Sequence, residues 1–576
     1  MIIRNQDKGN TLLAWHRIIT FMVLCLFALC LFDAVAAPYQ KRKRKKHVDE
    51  RIYLEHSNEL YADEMTMPGV QVVKGNVRFM HRGARLYCDS AYFRQEDNTF
   101  EAFGHVRMVQ GDTLSLKSEY AYYDGLDEMV RARRNVVLRH RKSVLYTDSL
   151  DFDRMYNFGY FFDGGRLNDG VNNLVSDWGE YNTETRQATF YFGVKLKNPD
   201  YTINTDTLYY DTRRRIAHVV GESTILSDGN TVKTTEGFYD TRRNQMRLFS
   251  RSTVENGDKT ITGDSLFYNS KTGSGEGFGR VEYVDKHNKN ELYADYCRYN
   301  EQDGTALATR NALVVDYSQP DTLWMHADSI RLETFNINTD SIYRKVHGYY
   351  HVRAFRQDVQ AVCDSLVLCS LDSSAVMYRD PIVWSDGRQL LGEKISVFAA
   401  DSTIRFAHVE GQALSVELMN DGEHYNQVGS KEMMAYFNEG VLRKTEAIGN
   451  VQTIYYPIDD KDSTLIGLNY LETDTLRMFL DENRRMQKIW TSKYNATTYP
   501  MNQIPAGKDK LASFGWFENI RPKDKNDLFV WRGKNADQVL KPQKQRVAPR
   551  ITDQTSKVAS SVLAAPEDKE KSEQSK

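Results

Sequence analysis

Proline and cysteine are both scarce in this chain, at 12 and 6 of 576 residues. So few prolines leave long stretches free to form strands. A disulfide framework is excluded as the organising device, because Cys25 and Cys30 fall in an N-terminal apolar segment and Cys88 and Cys363 occupy equivalent positions many repeats apart. The remaining thiols, Cys297 and Cys369 included, are expected to be free. Neither sign of charge dominates: the formal net charge is −2, which gives no general attraction to nucleic acid. Outside the N-terminus no stretch keeps a 3.6-residue apolar period, so helices are not expected. Tyrosine and phenylalanine are instead abundant, aromatics making up 12% of the chain, and they recur in short Thr- and Val-rich runs that favour strands.

The dominant feature is a repeat. An apolar-x-small-Asp motif returns 14 times between Leu60 and Asp474, most copies lying 29 to 31 residues apart. The regular copies start at Leu60, Leu86, Leu116, Leu145, Leu174, Ile203, Val232, Ile261 and Leu292. Looser ones start at Met325, Ala361, Leu390, Val428 and Leu471, where inserted loops open the spacing to as much as 43 residues. A fixed period of this size marks a stacked array, each unit hiding its apolar face against its neighbours.

Within a unit, the apolar anchor and the small residue two further on share one face of a strand. Five and seven residues after the anchor come a second apolar position and an aromatic, as in Leu150 with Phe152 or Leu208 with Tyr210. This pair has the opposite parity. A bulge or bend at the intervening Asp would turn both pairs into one interior, and Asp suits such a corner because its carboxylate can accept a local backbone N–H. Each unit closes on a Gly-x-Val-x-apolar strand, such as Gly75 to Phe79 or Gly279 to Tyr283. Two strands per unit joined by polar turns predict an antiparallel stack. With roughly 4.8 Å between strands, 14 units would extend roughly 130 Å.

The alternation of Leu292-Tyr-Ala-Asp-x-x-x-Tyr299 strands with Gly75-Asn-Val77 strands resembles the OstA-like (organic-solvent-tolerance) domain family of lipopolysaccharide transport, as in LptA and the periplasmic part of LptD. The resemblance covers about residues 50 to 480. It implies an all-β, antiparallel β-taco or β-jelly-roll array whose apolar interior carries acyl chains. It also implies lipopolysaccharide or another amphipathic lipid as ligand, inner- and outer-membrane transport components as partners, and self-association through edge strands. On that basis the groove candidates are Leu86, Leu145, Leu150, Phe152, Leu208, Tyr210, Leu266, Tyr268, Leu292 and Tyr299. The same positions would also serve as a filled core ladder, so a purely structural or protein-binding array remains open, as does a glycan-active repeat protein.

Little else suggests chemistry. Gly273-Ser-Gly-Glu-Gly-Phe-Gly279 lacks the Lys-Ser/Thr of a phosphate loop and is expected to be a flexible turn. The histidines show no ligand spacing, and neither a nucleophile elbow nor a metalloprotease helix appears, so no enzyme, metal or cofactor is expected. Basic clusters at Arg131 to Lys142, Arg213 to Arg215 and Arg242–Arg243 are expected in or beside turns as a solvated rim.

The termini differ from the array. Residues 1–36, with Arg4, Lys8 and Arg17 before the 15-residue uncharged run Ile18 to Phe32 and then Ala34-Val-Ala36, form a secretory signal, which predicts a periplasmic protein. An uncleaved inner-membrane anchor is the alternative, because the basic run Lys41 to Lys46 within the 37–50 arm resists export. Regular repeats then occupy 51–300 and irregular ones 301–500. From 501 to 576 an extension follows, expected to be largely disordered, in which Trp516-Phe517 and Phe529 to Trp531 could cap the last rung or bind a partner.

Overall fold

The computed structural model describes residues 50–227, 229–385, 387–400, 403–459 and 464–532. The expected signal, all of the basic arm but residue 50, and the tail from 533 lie outside the described residues. Within them the chain forms 36 strands joined in one antiparallel sheet, with three single-turn 3-10 helices near the C-terminal side. The all-β repetitive array read from the sequence is therefore what is observed.

The repeated Asp sits at a bulge. Between the strands Gln71–His81 and Ala84–Arg94, Lys74 pairs with Ser90 and Val77 with Cys88, so Gly75 and Asn76 together oppose Asp89. Both residues of the bulge have positive φ, 76° and 48°, which explains the glycine and asparagine there. The same shift recurs at Phe103/Val106, Arg133/Val136, Phe278/Val281, Thr309/Ala312 and Glu410/Ala413. Each bulge reverses parity, so Leu86, Cys88, Ala91 and Phe93 of one strand all face the interior and are buried.

The carboxylate's partner is mostly not the local backbone N–H expected. Asp89 meets His105 Nδ1 at 2.8 Å, Asp264 accepts two bonds from Arg280 at 3.0 and 2.8 Å, and Asp295 accepts from Asn311 Nδ2 at 2.8 Å. These partners are the second bulge residue of the following strand. The motif thus ties one crease to the next, because the bulge brings that side chain directly opposite.

The sheet is folded along this line of bulges. One wall carries the anchors and is called the anchor wall; the other carries the positions five and seven further on and is called the opposite wall. Small residues such as Cys88, Ala294, Ala327 and Cys363 lie buried in the crease between them, where two walls leave no room for a larger side chain. The strand tips of both walls form the mouth.

Two local expectations are corrected. Gly273 alone turns; the rest of the glycine run lies in the strand Ser274–Asp285, with Gly275 and Gly277 facing inward. A Cβ on Gly275 would collide with the Tyr299 ring, so the glycine makes space for an aromatic rather than for mobility. The cluster at Arg131 to Lys142 is mostly strand as well, Met129–His140, with Arg131 and Arg139 on its exposed face and only Arg141 and Lys142 in the turn.

Candidate functional site

The interior differs along its length. From Ile52 to Leu266 it is one continuous buried cluster. Leu145, Leu150, Phe152 and Leu208 have no exposed surface, Tyr210 is 1% exposed, and Leu86 and Leu266 are nearly as buried. The rings that fill this space touch across strands: Phe79 stacks on Phe100 at 4.3 Å between centroids, and Phe100 lies 5.2 Å from Tyr123.

Polar groups close the mouth of this first half. His81, at the tip of the anchor wall, meets the Tyr123 hydroxyl of the opposite wall at 2.6 Å, and Arg154 donates to the same oxygen at 2.5 Å. The Arg154 guanidinium also lies 3.3 Å from Glu128, which Arg82 pairs from the other side. Further along, His140 meets Tyr181 at 2.9 Å. Next, Tyr210 donates to Asp169 at 2.5 Å while Asn172 donates to Tyr210 at 2.8 Å. Burial pushes the Tyr123 phenol up to about 12 and depresses His81 and His140, so these groups tie the mouth in their neutral forms. Sequence reading missed the ties, although a histidine at the end of the strands Gln71–His81 and Met129–His140 was a visible signal.

Beyond Tyr268 the interior opens. Apart from Met325 on the anchor wall, the buried residues retreat toward the crease, with Ala308, Ala312, Ala327, Ile330, Val352, Cys363 and Leu366 as its floor. Above them Leu292, Val314, Ala354, Ala361 and Leu390 on the anchor wall, and Cys297, Val346, Leu368 and Val397 on the opposite wall, are only half-buried. The cause is side-chain volume: seven residues after the anchor, the aromatics end at Tyr299 and Leu332, Leu368, Val397, Ala435 and Met478 follow. Smaller side chains on both walls cannot meet across the gap.

Of the sequence candidates, Tyr268, Leu292 and Tyr299 stand at this opening and the other seven lie in the closed half. A cavity of about 1010 Å³ marks the junction. It runs over the rim of the opposite wall, from the inward Tyr268 and Tyr299 to the outward Phe267 and Arg298. The half-buried aliphatics Leu332, Val346, Leu368 and Val397 escaped sequence reading, although the loss of the aromatic at that position was legible.

Among the described residues no cluster of His, Cys, Asp and Glu could hold a metal ion. No described helix is long and apolar enough to cross a membrane. What the second half offers is two facing rows of half-buried aliphatic side chains above a buried crease.

Residues 49–206 match the family model described as OstA-like protein. No curated protein matches the chain. Among solved structures, LptH of Pseudomonas aeruginosa, described as the LptA-homologous periplasmic component of its lipopolysaccharide transport device, is similar over 24% of this chain and 81% of its own, at 16% identity and a TM-score of 0.13.

Proposed function

We propose that this protein is an exported, non-catalytic carrier that shields the acyl chains of lipopolysaccharide between the inner and outer membranes, and that it holds lipid in its second half only. The observation that carries this reading is the half-exposed aliphatic row on both walls between Leu292 and Val397. An apolar trough of this extent left to water is unfavourable by roughly 25 cal/mol per Å² and is relieved by an alkyl ligand. The OstA-like match over residues 49–206 supports the transport class.

The filled first half acts as a rigid spacer, which absorbs the alternative of a structural array without extending it to the whole chain. Both ends of the sheet support docking to transport components or to a second copy. Among the described residues the strands Tyr53–His56 and Glu59–Ala62 pair on one side only, as do Met486–Thr491 and Tyr494–Pro500, leaving unpaired backbone edges.

Detergent-free purification of the full-length protein from an envelope fraction, followed by mass spectrometry, tests the proposal. Acylated glycolipid is expected to copurify and to be lost from a Leu332→Glu, Leu368→Glu variant. Lipid-free protein, or equal lipid on both proteins, would contradict it.

A further inference from the structure

The chain does not end at the last strand. From Pro505 to Trp531 it runs back across the outer face of the anchor wall, toward the middle of the array, as a strap. Its anchorage is built in. Gln427 donates through Nε2 to the Asp509 carbonyl at 2.9 Å and accepts the Leu511 N–H at 2.9 Å. Gln389 donates to the Gly515 carbonyl at 2.8 Å and accepts the Phe517 N–H at 2.7 Å. Each side-chain amide thereby imitates a strand neighbour. Farther along, Gln360 accepts from Arg521 Nε at 2.7 Å, and Arg353 binds the Val530 carbonyl and Asp527.

These glutamines occupy one repeat position, immediately before the anchor, where the regular copies place Arg85, Ser115, Thr202 or Thr231 on a partly exposed outer face. Under the strap they are fully buried, Gln389 and Gln427 at 0% exposure. With Val362, Trp384, Leu391, Leu414 and Leu511 they make a second core behind the wall. The anchor wall of the open half is thus packed on its back although its front is half-exposed. Among the described residues nothing covers the back of the opposite wall in this way, and a trough of about 710 Å³ runs along it past Tyr349, Val367 and Tyr378. The two walls meet at creases whose backbone lies at positive φ, in Tyr350–His351, Arg379–Asp380, Gly411–Gln412 and Gly449–Asn450.

We propose that the strap is a brace that immobilises the anchor wall, so that the opposite wall is the one that swings about the crease when the groove is loaded or emptied. Gln389 and Gln427 are positioning residues in this device and touch no ligand. The proposal rests on the open half being the loaded one, yet its first test needs no lipid. In the full-length Gln389→Ala, Gln427→Ala variant, amide exchange of Ile382–Ser385 and Arg388–Leu391 on the anchor wall should accelerate about tenfold or more, each buried donor or acceptor having lost its partner. Exchange of Ser374–Tyr378 and Lys394–Ala400 on the opposite wall should stay within about twofold of the parent. Equal acceleration of both walls, or none, overturns the brace.

The second test places spin labels on the full-length chain with its native cysteines replaced by alanine. Asn519 on the strap is paired with Arg388 on the anchor wall or with Leu371 at the tip of the opposite wall. Adding purified lipid A should leave the first distance unchanged and shift or narrow the second. A shift in the first distance, or in neither while lipid A crosslinks at Leu332, refutes the moving-wall assignment. Failure of lipid A to crosslink at all counts against the carrier reading, and the exchange result then decides the brace alone.

Discussion

Residues 71–266 and residues 268–478 are built on the same repeat, with the same crease and the same bulge, yet one interior is filled and the other is open. The difference lies in one repeat position and one set of ties. In the first half the residue seven past the anchor is Phe93, Tyr123, Phe152, Tyr181, Tyr210 and Tyr239, and its hydroxyls are bonded across the mouth to His81, His140 and Asp169. In the second half that position keeps an aromatic only at Tyr268 and Tyr299, where the interior opens, and is aliphatic or smaller from Leu332 on, while mouth polar groups such as Tyr283 and Asn288 pair with Asp285 within one wall. A repeat fold can therefore alternate between core and cavity without altering its backbone, by changing the volume of one inward row.

Truncations separate the two halves most sharply. Phe152→Ala, in a site with no exposed surface, should cost about 3–5 kcal/mol by thermal or denaturant unfolding, whereas Leu368→Ala, already half-exposed, should cost about 1 kcal/mol. Equal costs would mean that the second half is filled too. Next comes Arg154→Met, which strips Tyr123 of a donor and leaves Glu128 to Arg82 alone; about 3 kcal/mol is expected, the low end for breaking a buried ion pair.

The pH response is smaller and specific in sign. His81, packed against Tyr123, Arg154, Arg82 and Glu128, and His140, against Tyr181, Arg141 and Arg186, both have depressed folded-state values from burial, with cationic neighbours adding to it. The unfolded chain therefore binds protons first as pH falls. The stabilisation is complete above about pH 6.5 and declines below it, so amide protection factors in the first half, taken relative to the intrinsic exchange rate at each pH, should be lower at pH 5 than at pH 8. An unchanged protection pattern in strands Gln71–His81 and Met129–His140 would break this part of the account. The smallest effect is expected at the exposed crease pairs. Asp264→Ala, losing only its solvated contacts with Arg280 and Arg251, should leave the melting temperature unchanged.

Much of this was legible in the sequence. Parity alone placed the anchor and the aromatic on one interior and located a bulge or bend at the Asp, because a regular period-2 strand cannot bury both pairs on one face. The end of the aromatic row at Tyr299 was equally visible, but its meaning depends on whether facing walls touch, and that is a distance no local pattern contains. The mouth ties join residues far apart in the chain, Arg154 with Tyr123 over 31 residues and His81 with Tyr123 over 42. The strap joins Gln389 to Phe517, 128 residues away. A buried glutamine reads in sequence as an ordinary exposed strand residue until its partner arrives from elsewhere. Glycine also misled locally: Gly275 and Gly277 look like a turn and are instead strand positions cleared for Tyr299 and Val281.

The central claim is that lipid enters only the second half. It is tested most directly by incorporating a photo-crosslinking amino acid at Leu332 or Leu368 and, in parallel, at Phe152 or Leu208, then irradiating the full-length protein with purified lipopolysaccharide. Adducts are expected at the first pair and absent at the second. Adducts at Phe152 and Leu208, or none at Leu332 and Leu368, would contradict the account.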